Sequence, residues 1–136
     1  MRSTDDPIAR FLQSPAFGVV GATTRRHKYG NKVLRCYQQA GRCAIPVNPR
    51  AAEVEGIACV ASVLELPDEV KSLSVITPPA VTELIVEQAI EKGIEHVWMQ
   101  PGAESERAVA AGRAAGMNVI ADGSCVLVVL GYREQL

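Results

Sequence analysis

FGVVGATTRRHKYGNK, Phe17 to Lys32, holds a strand, a turn and a helix start in sixteen residues. Phe17 to Val20 is a short apolar run of the kind that forms a buried strand. Gly21 interrupts it, Ala22 to Tyr29 is a polar and basic loop, and Gly30-Asn31 lead into a helical run. Strand, glycine turn and helix start are the parts of an anion-binding βα crossing. The first N–H groups of a helix have no intrahelical partner, and the aligned peptide dipoles make that end positive.

The same punctuation repeats on either side. Asn31 to Ala40 carries Val33, Leu34 and Tyr37 at helical spacing, Gly41 ends the run, and Cys43 to Val47 reads as a strand. Val81, Leu84, Ile85 and Ala89 define a helix face that stops at Lys92-Gly93, before a strand at His96 to Met99. Glu104 to Ala115 stops at Gly116, before a strand at Asn118 to Ala121. Helix, glycine, short apolar strand is the rhythm of a parallel sheet with crossover helices. Ile57 to Val60 and Leu73 to Thr77 supply two more strands, and Ser62 caps a helical turn through Leu66. Asp5 or Asp6 caps a first helix, Pro7 to Gln13, with Pro7 in its first turn. Val126 to Leu130 reads as a final strand or a dimer contact, ahead of a tail over 131–136. The expected architecture is a single α/β domain over residues 1–136. It is a Rossmann-like, doubly wound parallel sheet of about five or six strands, with helices on both faces.

Composition narrows the function. With 48% hydrophobic and 21% charged residues, the chain is globular. A formal net charge of -1 gives no global attraction to nucleic acid or membrane. No apolar run approaches the roughly 20 residues that span a bilayer, and Met1 to Gln13 is too charged for a signal peptide. Four cysteines without a CxxC and two distant histidines argue against a zinc site, and free thiols fit the cytoplasm.

In a doubly wound sheet, ligands lie beyond the carboxyl ends of the strands. That rule selects Gly21–Asn31, Asn48–Arg50, Thr77–Val81 and Gln100–Gly102. The first loop matches neither GxGxxG nor a Walker A loop, because Thr23 and Arg26 stand where a dinucleotide fingerprint needs glycine. It carries Thr23, Thr24, Arg25, Arg26, His27 and Lys28, hydroxyls and cations suited to phosphate oxygens. After the second strand, an NAD site has an acid that holds the ribose hydroxyls. Here the residues are Asn48-Pro49-Arg50, and an arginine fits a phosphorylated ribose, as in NADP or coenzyme A. Thr77-Pro78-Pro79 and Gln100-Pro101-Gly102 are loops whose prolines form rigid walls for van der Waals contact with an adenine or a pantetheine chain. No catalytic constellation is visible. His27 and His96 are far apart, Asp122-Gly123 is ordinary turn chemistry, and Cys125 reads as a small hydrophobe near the crevice mouth.

Taken in order, VVGATT, KYGNKV, IPVNP, SVLELP, VITPPAVT, VWMQPGAE and VIADGSCV resemble the small stand-alone CoA-binding domain proteins, the YccU-like group. These are similar to the amino-terminal CoA-binding domain of succinyl-CoA synthetase alpha subunits. The resemblance covers roughly Pro7 to Leu130. It implies a CoA or acyl-CoA ligand across the strand ends. Gly21, Ala22, Thr23 and Thr24 match the diphosphate loop, and Lys28, Tyr29, Gly30 and Asn31 the helix start. Asn48, Pro49 and Arg50 match the loop reached by the 3′-phosphate, and Thr77, Pro78 and Pro79 the proline loop. These residues hold no counterpart of the synthetase's phosphorylated histidine, since His27 lies in the wrong place. The expectation is therefore binding without catalysis. The alternatives are an NADP-dependent oxidoreductase module, a thioester-processing enzyme, or a CoA-sensing interaction module.

Overall fold

The computed structural model describes residues 6–134. Five parallel strands form the sheet: β1 (Ala16–Val20), β2 (Cys43–Val47), β5 (Ser72–Val75), β6 (His96–Met99) and β7 (Asn118–Ile120), in the order β2-β1-β5-β6-β7. Every residue of β1 is buried, as expected of a central parallel strand covered on both faces. Phe17 and Val19 pack on one face with α1 (Pro7–Leu12) and α2 (Tyr29–Gln39). Val20, Leu73, Val75, Val97 and Met99 pack on the other with α3 (Pro79–Lys92) and α4 (Glu106–Ala114). The Rossmann-like α/β architecture read from the sequence is the one observed.

Aromatic rings fill the first face. Phe17 stacks on Tyr37 at 4.8 Å between centroids, and Phe11 meets Trp98 edge-on at 5.3 Å. Their polar handles are satisfied, as burial requires. The Tyr37 hydroxyl and Ser74 Oγ are 2.6 Å apart, and the Trp98 indole N–H donates to the Ser124 carbonyl at 3.1 Å. Asp6 caps α1, its Oδ1 accepting from the N–H of Ile8 at 2.8 Å. Asp5, the other candidate cap, lies outside the described residues.

Three expectations are corrected. Ile57 to Val60 does not join the main sheet. Ile57–Ala58 is β4, paired antiparallel with β3 (Glu53–Val54) in a small hairpin, and Val60 makes only an isolated bridge to Val47. Two-residue runs are too short to compete for a place in the sheet. Val126 to Leu130 is not a strand: Val126–Val129 is the short helix α5. Its alternation-free apolar run suited either form. Val126 is buried while Val128 is 79% exposed. The core face of α3 is Thr82, Val86 and Ala89, with Leu84 58% exposed. Thr82 can be buried because its hydroxyl lies 2.7 Å from that of Thr77 and donates to the Pro78 carbonyl at 3.3 Å. A hydropathy pattern cannot anticipate that local pairing.

Candidate functional site at the strand ends

Strand order changes direction at β1, which has β2 on one side and β5 on the other. The crevice expected at such a switch point opens there. The N–H of Ile76 donates to the Val20 carbonyl at 2.8 Å, so β1 and β5 stay paired up to Gly21. Gly21 then turns the chain at φ +100. A Cβ on Gly21 would lie 2.0 Å from the Ile76 carbonyl oxygen. The absent side chain therefore makes room for β5, and a larger residue here damages the fold as well as any ligand contact. Gly30 has the matching role on the helix side. Its Cβ would lie 2.0 Å from the Gly21 carbonyl oxygen. The start of α2 thus rests directly on the glycine turn, which brings the helix N-terminus to the strand end.

Two clefts meet at Gly21. One, about 350 Å³, is lined by Gly21, Thr23, Arg25, Lys28, Tyr29 and Gly30 with Ile76. It is cationic and lies at the start of α2, where helix dipole and cations act together on a negative group. The other, about 290 Å³, runs toward β2 and α3, and Val20, Val47, Val63, Val81 and Ile85 give it apolar walls. Ala22, Asn48, Pro49, Ala61, Ser62, Thr77 and Gln88 line the rest of it with Gly21. The apolar wall expected from Pro78 and Pro79 is supplied instead by Val81 and Ile85, one and two turns further along α3. Pro78 and Pro79 are exposed and line neither cleft. A roomier hollow of about 450 Å³ under α4, lined by Ser105, Val109 and Arg113, has neither the glycine turn nor the α2 terminus.

Several sequence candidates come together here and several do not. Thr24 is exposed on the loop, outside both linings. Asn48 is structural as well as placed at the rim. Its Nδ2 donates to the Ala22 carbonyl at 2.9 Å, and its Oδ1 accepts from the N–H of Arg50 at 2.8 Å. Arg50 is exposed beside Pro49 and lines neither cleft. Pro101 and Gly102 are exposed away from both. Gln100 is fully buried beneath the crevice and not in it. Its Oε1 accepts from the Tyr29 hydroxyl at 3.1 Å and from the N–H of Val126 at 2.9 Å, tying α2 to α5.

That arrangement fixes the neighbouring protons. Because Tyr29 donates to Gln100, the contact between Cys125 Sγ and the Tyr29 oxygen has the thiol as donor. Burial, and then the bond to Cys125, holds the Tyr29 hydroxyl far above the ordinary phenol range, so it stays a neutral donor. Cys36 is pushed up to about 11, chiefly by burial and then by Cys125. His96 is remote from the crevice. Burial lowers its pKa, and its Nδ1 lies 3.0 Å from Asn118 Nδ2, a donor that favours the neutral ring.

Two residues that brace the candidate-site loop have no place in the sequence reading. Arg35 sits on the buried side of α2 at 6% exposure and reaches the loop, and Glu55 reaches it from the β3–β4 turn. An arginine inside the stripe Val33, Leu34, Tyr37 was the available signal for the first. The dipeptide Glu55-Gly56 signals a turn, but nothing local says where that turn docks.

Fold and crevice define a Rossmann-like module with an anion-receptive strand end. A profile of the CoA binding domain family matches residues 16–131, and the chain belongs to that family. A conserved hypothetical protein from Pyrococcus furiosus has the same fold at 37% identity. Its TM-score is 0.80, covering 84% of this chain and 97% of that one. An uncharacterized protein of Bacillus subtilis, YneT, is 29% identical over 85% of this chain and 86% of its own. ADP-forming acetate–CoA ligase I of Archaeoglobus fulgidus is 27% identical over 65% of this chain, which spans only 13% of the ligase. Among the described residues no helix is long and apolar enough to cross a membrane, and no cluster of His, Cys, Asp and Glu could hold a metal.

Proposed function

We propose that the protein binds coenzyme A or an acyl-CoA across the carboxyl ends of β1, β2 and β5, and that the isolated domain catalyses no reaction. The observation that carries this reading is the pair of clefts sharing Gly21, one cationic at a helix start and one apolar. The first suits the diphosphate, received by Gly21, Thr23, Arg25, Lys28, Tyr29 and Gly30, which line it, while Asn31, expected among them, is fully buried behind the loop. The second suits adenosine, between the apolar walls and the Asn48-Pro49 rim, with Arg50 in reach of a 3′-phosphate. Thr77 borders the same cleft. Family membership favours CoA over other nucleotides.

The ligase activity named for the archaeal relative belongs to a protein many times longer, so binding is what carries over. Four free thiols fit a cytoplasmic setting. Native mass spectrometry of the purified protein tests the reading: retained CoA or acyl-CoA supports it. Added CoA should raise the melting temperature and NADP should not. If NADPH stabilises instead and is oxidised by a carbonyl compound, the protein is an oxidoreductase. If bound acyl-CoA is hydrolysed, it is a thioester-processing enzyme. Gel filtration reports whether two copies associate, a dimer contact being one of the two readings the sequence offers for Val126 to Leu130. A partner captured only from CoA-loaded protein would identify a sensing module.

A further inference from the structure

We infer that Glu55 is a positioning residue for the ligand loop, holding Thr23 to Arg26 in the conformation that receives the anionic part of the ligand. The inference rests on the CoA-binding reading above.

Glu55 and Gly56 form the two-residue turn between β3 and β4, with φ 49 and φ 80. Two successive positive φ angles are the pattern of a type I′ hairpin turn, which favours asparagine or glycine at its first position. Glu55 is the one non-glycine residue with positive φ among the described residues. The turn itself gives no reason for a glutamate, so its use lies in the carboxylate.

Glu55 Oε2 accepts from Asn31 Nδ2 at 3.1 Å and lies 3.4 Å from Arg26 Nε. Its main-chain carbonyl accepts from Gln38 Nε2 at 3.1 Å, docking the turn on α2. Asn31, fully buried, also donates to the Thr23 carbonyl at 2.8 Å. Its Oδ1 accepts from Arg35 Nε at 2.7 Å, and Arg35 sends a second arm to the Arg26 carbonyl at 2.6 Å. Glu55, Asn31, Arg35 and Arg26 therefore close a ring behind the loop. With Asn48 on Ala22, three loop carbonyls are held by side-chain donors of the protein body. An anion is attracted by N–H groups and cations and repelled by carbonyl oxygens. Holding the carbonyls on donors behind the loop removes that repulsion before the ligand arrives, which is preorganisation.

A carboxylate near an anion site also has an opposing effect, simple charge repulsion, and the two effects differ in sign. Glu55→Gly suits the turn better than glutamate and removes the carboxylate. Glu55→Gln removes the charge and keeps an oxygen for Asn31. We expect Glu55→Gly to keep or raise the urea midpoint of unfolding. In the ligand-free protein it should speed hydrogen exchange in residues 23–26. It should weaken CoA, measured by calorimetry, by about tenfold, the worth of one or two hydrogen bonds. Glu55→Gln should stay within about threefold of wild type. If Glu55→Gly fails to fold, Glu55→Asn takes its place, since asparagine also suits the turn and its shorter side chain falls short of Arg26. Unchanged loop exchange in the glycine variant, or CoA bound as tightly as or more tightly than by wild type, would overturn the inference. If wild-type protein binds no CoA, the binding reading falls, and the loop exchange alone still decides the role of Glu55.

Discussion

Local propensity says that replacing a helix glycine by alanine stabilises, by about 0.8–1.0 kcal/mol in an exposed helix. For Gly30 the tertiary structure reverses the sign. The new methyl would stand 2.0 Å from the Gly21 carbonyl oxygen and 2.9 Å from its carbon, where real Cβ contacts stay beyond 3.0 Å. The start of α2 and the glycine turn must separate by about 1 Å to admit it, and both contacting atoms belong to the backbone. Neither partner yields by a rotamer change. Gly21 is held by its pairing with β5, and α2 is held by fully buried Val33, Leu34 and Tyr37. Overpacking costs about 1–3 kcal/mol, and a backbone clash lies at the upper end. After the propensity gain, Gly30→Ala should lose about 1–2 kcal/mol, a fall in melting temperature of about 3–8 °C. Gly112 is the internal control. Its added Cβ would meet Val119 Cγ2 at 2.8 Å, a methyl that can move, so Gly112→Ala should cost less. Urea unfolding with matched m-values measures both variants. A Gly30→Ala midpoint equal to or above wild type would refute the close approach of α2 to the turn, and with it the geometry of the anion cleft.

Two other predictions concern Arg50 and His96. Arg50→Ala should weaken CoA by about 1–2 kcal/mol and leave dephospho-CoA almost unchanged, a difference that shrinks as salt rises; equal weakening of both ligands would give Arg50 a structural role. His96 has its pKa lowered by burial, so near its ordinary value of 6.5 the unfolded chain binds the extra proton. Stability should therefore be full above about pH 6.5 and fall as acid is added through and below it. The acid-side loss should shrink in His96→Gln, and a melting temperature with the same pH dependence in both proteins would remove His96 as its source.

The succession of the five sheet strands and of helices α1 to α4 is legible in the sequence, as are the glycine turn after β1 and the loops at the strand ends. Each is written in short-range pattern: apolar runs of strand length, helical spacing at Val33, Leu34 and Tyr37, and glycines where helices stop. The five-stranded parallel sheet follows from that rhythm because crossover connections leave few arrangements. Which candidates face the crevice depends on packing between elements distant in the chain. Pro78 and Pro79 share a loop with Thr77, yet the helix they start turns Val81 and Ile85 into the cleft instead. Gln100 follows a strand as expected, but its carboxamide oxygen accepts from Tyr29 and Val126, far away in the chain. The run Val126 to Val129 is apolar enough for a strand and became a helix. Glu55 has no sequence signal, and Arg35 only its place in an apolar stripe, because their partners are Asn31 and the loop atoms of Arg26 that only folding brings beside them. Backbone atoms carry no residue identity, so contacts made to them leave no pattern to read.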